Sequence, residues 1–133
     1  MSRENVELTR QYVEAFNAGG LDGTQHLRHP QIEVHDPPDL PDADQHVGEA
    51  AARERVESYL ELGWDGHFHV REYIDGGEEV IVIWQLAGQA ALGGVPIDVP
   101  AFAHVYAFED GKVRRIRQYF TRAEALDAAG LSE

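Results

Sequence analysis

Apolar residues recur at helical spacing in the first half of the chain and at every second position in the second half, so helices come first and strands last. Val6, Leu8, Tyr12, Val13 and Phe16 mark one face of a helix over 3–18, which Gly19-Gly20 ends. A shorter helix is predicted around Asp22 to Arg28, ahead of His29-Pro30. From Gln31 to Asp36 the period is two: Ile32, Val34 and Asp36 share a face, with Glu33 and His35 opposite. Pro37 to Val47 is a proline-rich acidic loop, placed to act as a lid. A helix follows from about Glu49 to Leu62, with Ala52, Val56, Tyr59 and Leu60 as its inner stripe.

Beyond it, His67 to Ile74 reads as a strand, Gly76-Gly77 as a turn and Glu79 to Ala91 as a long strand. Gly93-Gly94 is another turn, and Val95 to Phe108 another long strand. Asp110-Gly111 sits between two β-rich runs and readily takes the positive φ angles of a tight hairpin. Thr121 and Glu124 form a capping box at the start of a short terminal helix, and Gly130-Leu131 is its stop signal. Helices followed by strands joined through tight turns indicate an α+β fold, a curved antiparallel sheet wrapped around N-terminal helices.

At 133 residues the chain is read as a single domain, 1–133. No apolar run approaches the roughly 20 residues of a membrane span. The amphipathic start lacks a secretion signal, so a cytoplasmic location is expected. The chain has no cysteine, which excludes disulfides, thiolate catalysis and cysteine-bound zinc. Eleven basic against 24 acidic residues give a net charge of −13, which repels nucleic acid and anionic membranes and favours solubility. No phosphate-binding glycine loop, serine elbow or nucleotide fingerprint occurs, and no cofactor is expected. His67 and His69 lie two apart, but no third ligand has firm spacing, so no metal site is assigned. Arg114, Arg115 and Arg117 divide between the faces of a strand and are expected to pair with surplus acids.

Four polar residues fall on apolar faces. A carboxylate there is costly to bury, so Asp36 either finds a partner, serves a purpose with a raised pKa, or ends the strand by hydrogen-bonding the turn at Pro37-Pro38. Tyr12 taken singly is a core residue whose hydroxyl reaches solvent or one partner. His104 alternates with Phe102, Tyr106 and Phe108, while Ala101, Ala103, Val105 and Ala107 occupy the other face. Bulky groups on one side imply that this side lines a volume, and small ones that the other packs closely against something flat. Gln118 is the polar member between Ile116 and Phe120, placed to orient a ligand. Phe16, Trp64, Phe102, Tyr106 and Phe120 either line that volume or fill it.

The motifs ENVELTRQYVEAFNAG, HPQIEVHDP, VGEAAARERVESYL, the FxDGKVxRIRxY hairpin and the ALDAAGL tail together resemble the nuclear transport factor 2-like superfamily. Within it they resemble the SnoaL-like branch, which includes polyketide cyclases and ketosteroid isomerases. The resemblance implies a cone-shaped fold around a small-molecule pocket, an apolar, polyketide-like or steroid-like ligand, and a homodimer through the sheet face. By similarity to the isomerases, Tyr12 takes the place of the oxyanion-hole tyrosine and Asp36 that of the general base. His104 takes that of the second oxyanion donor, which in those enzymes is a protonated aspartic acid. The implied chemistry is proton transfer next to a carbonyl. The alternatives are water activation by Asp36 and His104 that opens an epoxide or ester, in a fold that resembles the superfamily's epoxide hydrolases, or non-catalytic binding of a small apolar ligand.

Overall fold

The computed structural model describes residues 2–61, 66–85, 91–92, 95–96 and 102–131. Helix α1 spans Ser2–Gly23. Its glycine pair bends the helix instead of ending it: Gly20 adopts φ 65°, open to glycine at little cost, and a last turn carries the chain to Gly23. The helix expected around 22–28 is one 3-10 turn, Gln25–Leu27.

Strand β1, Arg28–His35, starts earlier than the periodicity indicated. Pro30 lies inside it, and the pairing register with its neighbour shifts between Arg28 and Glu33, where a residue without an N–H is accommodated. The short β2, Gln45–Val47, ends the acidic loop, and α2 follows over Glu49–Glu61. Leu60, expected on the inner stripe of α2, is 44% exposed. Strands β3, His69–Asp75, and β4, Glu79–Gln85, form a hairpin. The predicted strand 79–91 is described only as far as Gln85, and β5 and β6, Ala91–Leu92 and Val95–Pro96, make a separate small pair. Strands β7, Phe102–Glu109, and β8, Lys112–Tyr119, and helix α3, Arg122–Ala128, complete the fold.

The main sheet runs β2-β1-β8-β7-β4-β3. It is mixed, because β1 lies parallel to β8, whereas its other neighbours are antiparallel. Periodicity carries no information about a pairing between strands so far apart in sequence. Local signals did hold. Asp110 and Gly111 take φ 55° and 71° in the β7–β8 turn. Thr121 Oγ1 accepts the Glu124 N–H at 3.1 Å, and the Leu131 N–H closes α3 on the Leu126 carbonyl at 2.8 Å.

Two layers cover the two sheet faces. Helices α1 and α2 lie on one face, where Tyr12, Ile32, Val34, Val82, Tyr106 and Ile116 form the core. Helix α3 lies on the other, placing Ala125 and Leu126 against Ile81, Ile83, Ala103 and Val105. The small side of β7 thus meets a helix of its own chain at Ala103 and Val105, while Ala101 lies outside the described residues. The arginines of β8 pair with acids as expected: Arg114 with Glu33 at 3.0 Å, and Arg117 and Arg115 with Glu79 at 2.8 and 3.4 Å.

Candidate functional site

Between α1, α2 and the inner sheet face lies a cavity of about 390 Å³. Its walls are mostly carbon: Phe16 and Leu21 from α1, Ile32 and Val34 from β1, Ala52 and Val56 from α2, Trp84 from β4, Phe102 from β7, Ile116 from β8, and Phe68 and Phe120 beside the sheet. Pro37 and Leu40 close it from the acidic loop. Phe68 precedes β3 and is clamped by Asn17, whose Oδ1 accepts the Phe68 N–H at 2.8 Å and whose Nδ2 donates to its carbonyl at 3.0 Å. A loop residue is thereby fixed to α1 and its ring packs on Phe16 at 4.9 Å.

Of the expected lining residues, Phe16, Phe102, Ile116, Gln118 and Phe120 line the cavity. Tyr106 does not. It is 1% exposed in the core and packs edge-on against Tyr12 with ring centroids 5.6 Å apart, filling space instead of bounding it. Trp64 lies outside the described residues.

His104 faces the cavity from β7, next to Gln118 on β8, its direct cross-strand partner. Trp84 and Phe68 meet its ring edge-to-face at 5.1 and 5.7 Å, and Tyr106 lies at 6.5 Å. Among the described residues no group hydrogen-bonds the imidazole, and burial alone pushes its pKa down to about 3. The ring is therefore neutral at physiological pH, with one nitrogen a donor and the other an acceptor.

Tyr12 also lines the cavity. Burial raises the pKa of its hydroxyl against the opposing effects of the Arg28 charge and a hydrogen bond with Thr24. Thr24 donates to the Leu21 carbonyl at 2.8 Å and accepts Arg28 Nη1 at 2.6 Å. Arg28, with a side chain 2% exposed, forks onto Glu49 through Nε and Nη2.

Asp36 corrects the expected arrangement most. It was assigned as a base facing Tyr12 and His104, yet it lies outside the cavity wall, in a separate surface recess. Its Oδ1 accepts Arg55 Nε at 2.8 Å and His46 Nε2 at 3.1 Å, and its Oδ2 accepts the Asp44 N–H at 3.2 Å. The Asp36 N–H donates in turn to the Asp44 carbonyl at 2.9 Å, tying off the loop between them. The buried carboxylate finds charged partners on α2 and β2, and its hydrogen bonds go to these and to Asp44, not to the Pro37-Pro38 turn.

Arg55 itself lines the cavity and stacks over Tyr59 at 4.4 Å. Burial raises the Tyr59 pKa, opposed by the Arg55 charge and hydrogen bonds with Gln118 and Arg55. Arg55, Tyr59, Arg28, Phe68 and Trp84 were not singled out from sequence as site residues. Arg55 and Tyr59 carried a usable signal, since they lie four apart on α2 beside Ala52 and Val56.

For metals, His67 and His69 stack at 5.9 Å and join no set of three ligands among the described residues. His29, Glu109 and Asp110 do bring ligand atoms within 4.8 Å. His29 Nδ1 accepts the Gln31 N–H at 3.0 Å, which leaves its proton on Nε2, donated to Glu109 at 2.9 Å. That arrangement is a hydrogen-bonded pair, and a cation there has first to displace the proton.

The chain belongs to the SnoaL-like domain family, whose model matches residues 9–116. Its fold is that of nuclear transport factor 2-like proteins. Among solved structures it is similar to Bal32a, from a soil-derived mobile gene cassette, with TM-score 0.75, 25% identity and 96% of each chain covered. It is similar to TerC co-crystallised with polyporic acid, with TM-score 0.69, 20% identity, and 96% of this chain and 98% of that one covered. A candidate polyketide cyclase from Sinorhizobium meliloti aligns with TM-score 0.63 and 18% identity over 89% of this chain and 98% of that one. A search of curated proteins finds no match.

Proposed function

We propose that this chain is a small-molecule pocket protein of the cyclase/isomerase type, which seats a carbonyl or hydroxyl oxygen of a compact apolar ligand at His104. The observation that carries this is the neutral imidazole in the wall of a 390 Å³ apolar cavity, hydrogen-bonded by no group among the described residues. A ligand oxygen at the ring supplies a hydrogen bond that the carbon walls do not, worth about 0.5–1.5 kcal/mol net. Cavities of roughly 300–1,000 Å³ are the size that takes small organic ligands. The co-crystallised small molecule of TerC supports an occupant of that kind.

The test is a matched pair of probes, 1-tetralone and its hydrocarbon tetralin, titrated by calorimetry. We expect the ketone to bind about tenfold more tightly, the equivalent of one net hydrogen bond of ~1.4 kcal/mol. His104→Phe removes that preference and keeps tetralin binding. A preference that survives His104→Phe refutes the role of the imidazole.

Proton transfer by Asp36 belongs to the same proposal, as does its alternative, binding without turnover. The position of Asp36 outside the cavity wall and its ion pair with Arg55 favour the alternative, and they equally withdraw Asp36 from water activation with His104. Deuterium exchange at the carbon next to the tetralone carbonyl separates them. Exchange above the buffer rate that Asp36→Asn abolishes supports a base; its absence supports binding alone.

We further propose a cytoplasmic homodimer. Among the described residues no helix is long and apolar enough to cross a membrane. The resemblance puts the second copy against the sheet face, and the exposed Val47 on β2 supports an apolar contact there. A monomer mass in sedimentation at micromolar concentration removes the dimer.

A further inference from the structure

Arg55 stands at the cavity edge with most of its hydrogen-bonding capacity pointing elsewhere than at its counter-ion. Asp36 takes only Nε, at 2.8 Å, and the same carboxylate oxygen is shared with His46. Nη1 has a long contact with Ser58 Oγ at 3.4 Å. A guanidinium offers five N–H groups in a planar fork, so donors remain without a partner among the described residues. The fork is held rather than loose: Asp36 fixes one edge and the Tyr59 ring supports its face at 4.4 Å. Its side chain is 22% exposed, Arg55 borders the cavity, and Asp36 does not.

Building on the pocket reading above, we propose that Arg55 is a second anchor, which binds an ionised oxygen of the ligand, a carboxylate above all, at the mouth of the cavity. The substrate class is then a compact apolar acid, its hydrocarbon body among Phe16, Trp84 and Phe102 and its acid group on the Nη edge of Arg55. A preorganised fork loses little freedom on receiving a carboxylate, and charge-assisted bonds are about twice as strong as neutral ones. The surplus negative charge of the chain does not oppose this locally, because Asp36 is itself engaged by Arg55, His46 and the Asp44 N–H. Asp36 is in this account a positioning residue, acting on the ligand through Arg55.

The probes are 2-naphthoate and the isosteric neutral 2-naphthamide, titrated against the full chain at pH 7.5. We expect naphthoate to bind at least about tenfold more tightly, and the Arg55 Nε–H resonance to shift with naphthoate and not with the amide. Arg55→Gln, and the charge-balanced double variant Arg55→Gln with Asp36→Asn, lose naphthoate about tenfold and change naphthamide less than about twofold. Equal binding of the two probes, a preference that persists in the variants, or an unmoved Arg55 resonance overturns the anchor and leaves the pocket reading standing. Binding of neither probe overturns both. If neither variant folds, probe selectivity and the Arg55 resonance of the unmodified protein still decide.

Discussion

Asp36 and Arg55 are joined at 2.8 Å across the gap between the end of β1 and helix α2, and the guanidinium, not the carboxylate, borders the cavity. This relationship gives Asp36 a structural role. Asp36→Asn removes the charge that balances Arg55 and weakens the tie between loop and helix. A pair intermediate between exposed and fully buried predicts a loss of about 2 kcal/mol in urea unfolding. A loss below about 0.5 kcal/mol contradicts the structural role.

The buried imidazole makes stability depend on pH. In the unfolded chain His104 takes up a proton near pH 6.5, and in the folded chain only near pH 3. Between those values the unfolded state holds more protons, so this contribution is intact above pH 6.5 and is lost as pH falls toward 3. The slope is at most about 1.4 kcal/mol per pH unit. His104→Phe is expected to flatten the profile in that window, so that the difference between variant and parent changes with pH below 6.5 and is constant above it. A constant difference throughout means that the ring is not buried neutral.

Filling the hole tests whether ligands enter it. Val56 lines the cavity from α2, and Val56→Trp places a bulky ring into the space. Tetralone and naphthoate binding should both fall below detection while the far-ultraviolet spectrum stays that of the parent. Undiminished binding in a folded Val56→Trp protein places the ligand site elsewhere.

The terminal helix supplies a prediction independent of the pocket. Thr121 caps α3 at 3.1 Å, so Thr121→Ala is expected to cost about 1 kcal/mol of stability, read from the urea midpoint, with ligand affinity unchanged. A changed affinity would instead couple α3 to the cavity across the sheet.

The elements that could be read from sequence are those set by neighbours in the chain. The Asp110-Gly111 turn, the Thr121 cap and the two-sided pattern of β7 depend on residues a few positions apart, and all three stand in the structure. Strand β4 was found, but its run EVIVIWQ is buried on both faces, so no alternation marked Trp84 as a cavity residue. Tyr106 and Phe102 share one face of β7, and only packing against Tyr12 decides that one ring fills space while the other bounds it. Asp36 was recognised as a buried acid in need of an explanation. Its partner Arg55 lies 19 positions away on a helix, and a relationship of that kind appears only when strand and helix are docked.

The most direct test of the account is the protonation and exposure of His104, followed by ¹⁵N NMR of its imidazole between pH 4.5 and 7.5 with and without tetralone. The account predicts a neutral ring with one protonated nitrogen throughout that range, and a shift of one ring nitrogen when the ketone binds. An imidazolium at pH 5.5, or a ring indifferent to the bound ketone, contradicts it.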